Sequence, residues 1–232
     1  MLLSPDEWEI VRLSMKVSAA GILVTLPVAF ALAYLLARVR FVGRTLVDAI
    51  VHLPLVLPPV VTGWLLLLAF GRQGPIGAWL ESAFGVSVMF RWTGAAIAAA
   101  VMALPLMVRA IRLSIEAVDR RLEGAARTLG AGRVRTFATI TLPLCLPGIL
   151  AGLVLGFARS IGEFGATITF VSNIPGETQT LPIAIYGALQ IPGNDATVLR
   201  LAIVSVILSL GALLLSEWLA RRGSAGRDAH VL

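Results

Sequence analysis

Val17-Ser-Ala-Ala-Gly-Ile-Leu-Val-Thr-Leu-Pro-Val-Ala-Phe-Ala-Leu-Ala-Tyr-Leu-Leu-Ala37 runs for 21 residues between Lys16 and Arg38 without a charged side chain. A helix rises about 1.5 Å per residue, so roughly 20 apolar residues cross the hydrocarbon core of a bilayer. The stretch is therefore long enough to span a membrane, with Pro27 inside it as a bend point. Four further uncharged runs share this character. They hold 23 residues between Asp48 and Arg72, 17 between Arg91 and Arg109, 23 between Arg135 and Arg159, and 16 between Arg200 and Glu217. The two shorter runs can gain a turn, because an arginine at a helix end lays its stem along apolar surface and keeps its head in water. The runs predict five membrane-spanning helices, at 17–37, 49–70, 92–108, about 142–158 and 201–215. A sixth apolar run, 178–194, carries Pro182, Gly187, Gln190 and Pro192, which predict a short or broken helix. The expected fold class is all-α, a polytopic membrane helical bundle forming a single domain over 1–232.

Composition agrees with this reading. Hydrophobic residues make up 58% of the chain and charged residues 14%, with a mean hydropathy of +0.90. A soluble domain carries about 25% charged residues. A net charge of +6 and a pI near 10.9 would point to nucleic acid in a soluble protein. Here the basic residues gather in loops between apolar runs, so the expected partner is the lipid bilayer and no nucleic acid. Thirteen of the 19 fall in three segments: Arg38, Arg40 and Arg44; then Arg109, Arg112, Arg120, Arg121, Arg127, Arg133 and Arg135; then Arg221, Arg222 and Arg227. Five spans put all three segments on one side, which the positive-inside tendency makes cytoplasmic. The C-terminus is then expected inside and the N-terminus outside. Arg12 and Lys16, ahead of the first span, leave an N-inside arrangement with an extra crossing as the alternative.

The residues before the first span read as a helix lead-in. Ser4-Pro5-Asp6-Glu7 has a capping residue, a proline at the first helical position and acids in the first turn. The first apolar run is longer than the about 7–15 residues of a signal-peptide core, so it is expected to stay as an anchor. Cys145 is the one cysteine, which excludes an intramolecular disulfide or a cysteine metal cluster. His52 and His230 are far apart in sequence, and no metalloprotease, serine-nucleophile or phosphate-loop motif occurs. An intramembrane enzyme is therefore disfavoured, with no catalytic residue, metal site or cofactor expected in the chain.

Two regions carry the chemistry. The first is polar in a membrane setting. Pro54, Pro58 and Pro59 each remove a backbone donor, so the second span is expected to break. In lipid the freed carbonyls must find partners or face a water-filled cavity. A break lining a translocation path and a merely kinked packing helix both satisfy this. Thr62 could supply a hydroxyl to such a path. Arg159, Ser160, Glu163, Thr167, Thr169 and Ser172 cluster at the end of the fourth span. Arg159 and Glu163 are four apart and would pair on a helix. They read as a gate or path lining, or as a structural ion pair at the interface. An unpaired Glu163 would repel an anion.

The second region is the segment Asp119-Arg-Arg-Leu-Glu-Gly-Ala-Ala-Arg-Thr-Leu-Gly-Ala-Gly-Arg-Val-Arg-Thr-Phe-Ala-Thr-Ile-Thr-Leu-Pro143. It predicts a basic amphipathic helix, a turn at Gly130 and Gly132, and a second short helix. That is more structure than a connector of a handful of residues needs. Ala125 and Ala126 leave a shallow surface that another protein could cover.

This segment resembles the loop of ABC importer permeases, Glu-Ala-Ala-x3-Gly-x9-Ile-x-Leu-Pro. Ala125, Ala126, Gly130, Ile140, Leu142 and Pro143 stand at those spacings, while Gly124 occupies the motif's Glu position and the acid is Glu123. The resemblance implies an ABC importer (type I) permease fold with a cytoplasmic coupling loop at about 113–141. Asp119, Glu123, Gly124, Ala125, Ala126, Arg127, Leu129, Gly130, Ala131 and Phe137 would then belong to the surface that docks on an ATPase. The finer resemblance is to the molybdate permease subfamily. It rests on the stretches from His52 to Gly63, Pro105 to Arg112, Arg159 to Thr178 and Ser216 to Ala220. It implies a homodimer in the bacterial cytoplasmic (inner) membrane that carries molybdate. Two copies of an ATP-binding cassette subunit would bind the ATP and Mg, and a periplasmic or extracellular molybdate-binding protein would deliver the anion. Tungstate or sulfate is the alternative cargo. In this reading Pro58, Pro59, Thr62, Ser160, Glu163, Thr167 and Thr169 line the path or gate.

Overall fold

A computed structural model describes residues 3–228, with side chains after Leu215 described only at Trp218. The side chains of Arg221, Arg222 and Arg227, the motif residues around Trp218, and His230 lie outside the described residues. In chain order the helices are α1 (Pro5–Arg38), α2 (Arg44–Val56), α3 (Pro59–Phe70), α4 (Pro75–Phe84), α5 (Trp92–Glu116), α6 (Arg120–Thr128), α7 (Arg133–Thr136), α8 (Leu142–Ile161), α9 (Gly165–Val171), α10 (Leu181–Leu189) and α11 (Asp195–Asp228). A single π turn, Phe137–Thr141, joins α7 to α8. No strand occurs among the described residues.

Four segments are long and apolar enough to cross a membrane by themselves: α1, α5, the continuous run Arg133–Ile161, and α11 as far as Leu215. The remaining predicted span, 49–70, exists only as the pair α2 and α3, bent by 116°. The sixth apolar run forms α10, nine residues and about 13 Å long, too short to cross.

The lead-in and the first span are one helix of 34 residues. Ser4 Oγ accepts from the Glu7 N–H at 3.2 Å, and the Ser4 N–H donates to Glu7 Oε2 at 2.8 Å, a reciprocal capping box with Pro5 at the first helical position. The same carboxylate accepts from Arg200 Nη2 at 2.7 Å, which ties the start of the first span to the start of the last.

The core sits around α5. Its Ala95, Ala98, Ala99 and Ala103 are buried, and small side chains let neighbouring helices approach closely in lipid, where apolar tails give no hydrophobic drive between helices. Met107, Ile111 and Ile115 then pack against Ala29, Ala33 and Leu36 of α1 and Cys145 and Ile149 of α8. α5 runs about two turns past the predicted end at 108. There Arg112 bridges Asp48 of α2 (3.0 Å) and its own Glu116 (2.9 Å), so a charged extension is held by charged partners.

The fourth span begins earlier than predicted. The second short helix of the loop does not stand apart but runs through the π turn into α8, where the Leu142 N–H reaches the Phe137 carbonyl. Pro143 follows directly. Its ring crowds the carbonyl four residues back and offers no N–H, which a widened turn relieves.

Candidate translocation and coupling sites

Two helix breaks face each other inside the bundle. The first lies between α2 and α3, where Leu57 (φ −68°, ψ 141°) and Pro58 (φ −54°, ψ 133°) are extended and Pro59 opens α3. Pro54 stays inside α2, so only two of the three prolines make the break. The second lies between α8 and α9, across Gly162, Glu163 and Phe164. Glu163 is 3% exposed. Its Oε2 pairs with Arg159 Nη1 at 2.6 Å, and its Oε1 accepts from the Ala166 N–H at 2.9 Å. One carboxylate thus closes the end of α8 and caps the start of α9. The expected Arg159–Glu163 pair forms although Glu163 lies beyond the helix end.

The two breaks are seated on each other through glycines. A Cβ at Gly165 would come within 2.7 Å of Pro59 Cβ, and one at Gly63 within 2.5 Å of the Ala166 carbonyl oxygen and 2.9 Å of Thr169 Cβ. Backbone therefore rests on backbone where α3 meets α9. Around this seat Thr62, Ser160 and Thr167 are buried. The Thr62 and Ser160 hydroxyls have no hydrogen-bond partner among the described residues, while Thr169 Oγ1 donates back to the Gly165 carbonyl at 2.8 Å. Pro58 and Pro59 are exposed beside them. The arrangement offers free hydroxyls next to a carboxylate whose charge is already matched by arginine.

The second constellation is the loop between α5 and α8. Asp119 caps α6 by accepting from the Arg121 N–H at 2.8 Å, and Gly130 turns the chain with φ +85°, a left-handed conformation that suits glycine. No residue of α6 is buried. Gly124, Ala125, Arg127, Leu129 and Gly130 are exposed, Ala126 and Ala131 half-buried. Leu129 is 89% and Val134 82% exposed, and both are apolar.

Two residues expected on that surface turn inward. Glu123 pairs with Arg38 at the end of α1 (3.0 Å) and accepts from Thr141 Oγ1 in the π turn (2.8 Å). Phe137 meets the rings of Phe30 and Tyr34 edge-on, with centroids 6.0 and 5.7 Å away. Both fasten the loop to the first span. Arg38 and Thr141 were not singled out from sequence, since 85 residues separate Arg38 from its partner and no local pattern joins them. Among the described residues no group of three or more His, Cys, Asp or Glu is placed to hold a metal ion.

Residues 10–224 match the family described as binding-protein-dependent transport system inner membrane component. The chain belongs to this family. The permease is 59% identical over 229 residues to the molybdenum transport system permease protein ModB of Escherichia coli (strain K12), covering 98% of this chain and 100% of that one. It is 40% identical over 184 residues to the sulfate transport system permease protein CysT of the same organism, covering 79% of this chain and 65% of that one. Its fold matches a chain in the crystal structure of a bacterial alginate ABC transporter in complex with an alginate pentasaccharide-bound periplasmic protein. The TM-score there is 0.68 at 20% identity, over 93% of this chain and 77% of the other. The fold is that of ABC importer (type I) permeases, and the permease is a multi-pass inner-membrane component.

Proposed function

We propose that this permease is the membrane subunit of an ABC importer that carries molybdate across the bacterial cytoplasmic membrane. It has no catalytic group of its own and is driven by ATP hydrolysis on a partner. Two copies form a homodimer around the path, and each grips one ATP-binding cassette subunit at the outward face of α6. ATP and Mg bind the partner. A separate molybdate-binding protein delivers the anion on the opposite side.

Support for the cargo is the 59% identity to ModB along the full length of both chains, against 40% over a shorter stretch for the sulfate relative. Tungstate has nearly the size and charge of molybdate, so it is the natural competitor. Support for docking is the bare apolar surface at Leu129 and Val134 beside the Ala-Ala-x3-Gly spacing. The orientation rests on arginine placement, with α6 and the C-terminus inside and the N-terminus outside.

Closure of two ATPase subunits would move α6. The Arg38–Glu123 pair and the Phe137 contacts give that motion a grip on α1, and the continuous run from α7 carries it into α8. α8 ends at the Glu163 break, where α9 bears on α3. A displacement there would open or close the path beside Thr62 and Ser160, whose free hydroxyls can donate to an oxyanion in passing. Glu163 neither attracts nor repels the cargo while Arg159 holds it.

The test is ATP-dependent uptake of labelled molybdate into proteoliposomes holding the permease, its ATPase and the binding protein. Tungstate is expected to compete and sulfate to compete poorly. Uptake without the ATPase, or equal competition by sulfate, overturns the reading. Ala126→Asp, placing a charge on the docking face, is expected to abolish copurification of the ATPase while the permease still inserts. Unchanged copurification rejects α6 as the grip.

A further inference from the structure

Two cavities lie in succession along α1, and the transport reading leaves both unused. The first, about 680 Å³, is walled by Trp8, Arg12, Met15 and Lys16, with Glu9 and Gly176 also on its lining. The second, about 230 Å³, is a slot between α1 and α5 walled by Ala20, Gly21, Val24, Ala96, Ile97 and Ala100. Between them Lys16 Nζ, on the lining of the first, lies 3.8 Å over the centroid of the Trp92 ring, which borders the slot.

The order of residues on the helix sets the chemistry of each part. Trp8, Arg12, Lys16, Ala20 and Val24 follow at intervals of four, so they lie one above another on one face. Lys16 is the last charge before the 21-residue uncharged run. Arg12 and Lys16 therefore stand at headgroup depth, and the slot opens directly beneath them in the hydrocarbon. Neither cation is in an ion pair among the described residues. Glu9 shares the cavity without pairing with either.

The slot exists because α1 and α5 nearly touch. A Cβ at Gly21 would come within 2.8 Å of the Ala96 carbonyl oxygen, and the small side chains around this contact leave an apolar channel along it. From Lys16 to Val24 the helix rises about 12 Å. Half of a roughly 30 Å hydrocarbon core is about 15 Å, so the slot ends within a single leaflet. A crossing helix would need the whole thickness. A lipid tail needs only this much.

We propose that this composite site holds one phospholipid with a net anionic headgroup, its phosphate between Arg12 and Lys16 and one acyl chain in the slot between α1 and α5. Each basic residue at headgroup level is worth about fivefold in affinity for an anionic lipid. The tail adds apolar contact that a free phosphate ion lacks.

The test uses the purified full chain released from phosphatidylethanolamine nanodiscs, with and without phosphatidylglycerol, and analysed by native mass spectrometry. The wild type is expected to retain one phosphatidylglycerol and no phosphatidylethanolamine. Combined Arg12→Gln and Lys16→Gln should lower that retention by about tenfold or more. Ala100→Leu, which fills the slot and leaves the cations in place, should lower it several-fold. Unchanged circular dichroism in detergent establishes that both variants fold. Equal retention of the two lipids, or full retention by both variants, overturns the proposal. So does displacement by inorganic phosphate, which marks a free-anion site, or a disulfide between two copies carrying Ala20→Cys, which marks the slot as a protein interface.

Discussion

The break between α2 and α3 and the break between α8 and α9 lie against each other, yet they are made by opposite means. Pro58 and Pro59 interrupt their span through covalent structure: a fixed φ and a missing donor act wherever the chain goes. The second break has no proline within it. Its ends are held by one buried carboxylate that pairs with Arg159 on the turn before it and caps the helix after it. The first break is a property of the local chain. The second is a property of an ion pair that survives only because the surrounding helices keep Glu163 from water. A hinge of the second kind can be opened by a small shift of charge, and a hinge of the first kind cannot.

Arg159→Ala breaks this contrast most severely. It leaves Glu163 buried and unmatched, at a cost of about 3 kcal/mol, and is expected to lower the thermal midpoint in detergent and abolish uptake. A midpoint equal to wild type means the pair does not hold the break. Gly63→Val follows, at about 2 kcal/mol, because its side chain must push α3 off the Ala166 carbonyl. Spin labels on α3 and α9 should separate, and an unchanged distance counts against the glycine seat. Replacing Pro58 and Pro59 together with alanine should cost no more than about 1 kcal/mol. A label distance across the break should lengthen toward that of a straight helix, since the prolines make the bend. An unchanged distance assigns the bend to the seat of α3 on α9 instead. Thr62→Val is expected to change stability least, within about 1 kcal/mol, because the hydroxyl it removes has no partner among the described residues. Uptake should nonetheless fall, and wild-type uptake removes Thr62 from the path.

The difference between the two breaks also explains what could be read early. Spans 17–37 and 92–108 were legible because an uncharged run of sufficient length has one stable form in lipid. The α2–α3 break was legible from its prolines, and the α6 helix and Gly130 turn from a cap and a left-handed glycine. The inward turn of Glu123 and Phe137 was not, because their partners on α1 are distant in sequence. The π turn was hidden by the same distance between cause and position: its strain is relieved within the chain, yet its anchor, Thr141 to Glu123, is not local.

The amino-acid order by itself determined an all-helical membrane protein with five apolar runs, a proline-broken second run and a long structured loop on the arginine-rich side. These follow from length, charge and backbone chemistry, which act over one or two turns. Only the tertiary structure decided that the two broken spans rest on each other through Gly63 and Gly165, that Glu163 is buried, and that the loop is clamped to Arg38. Those outcomes depend on which helix surfaces meet, and close packing and burial of charge are set by neighbours far away along the chain.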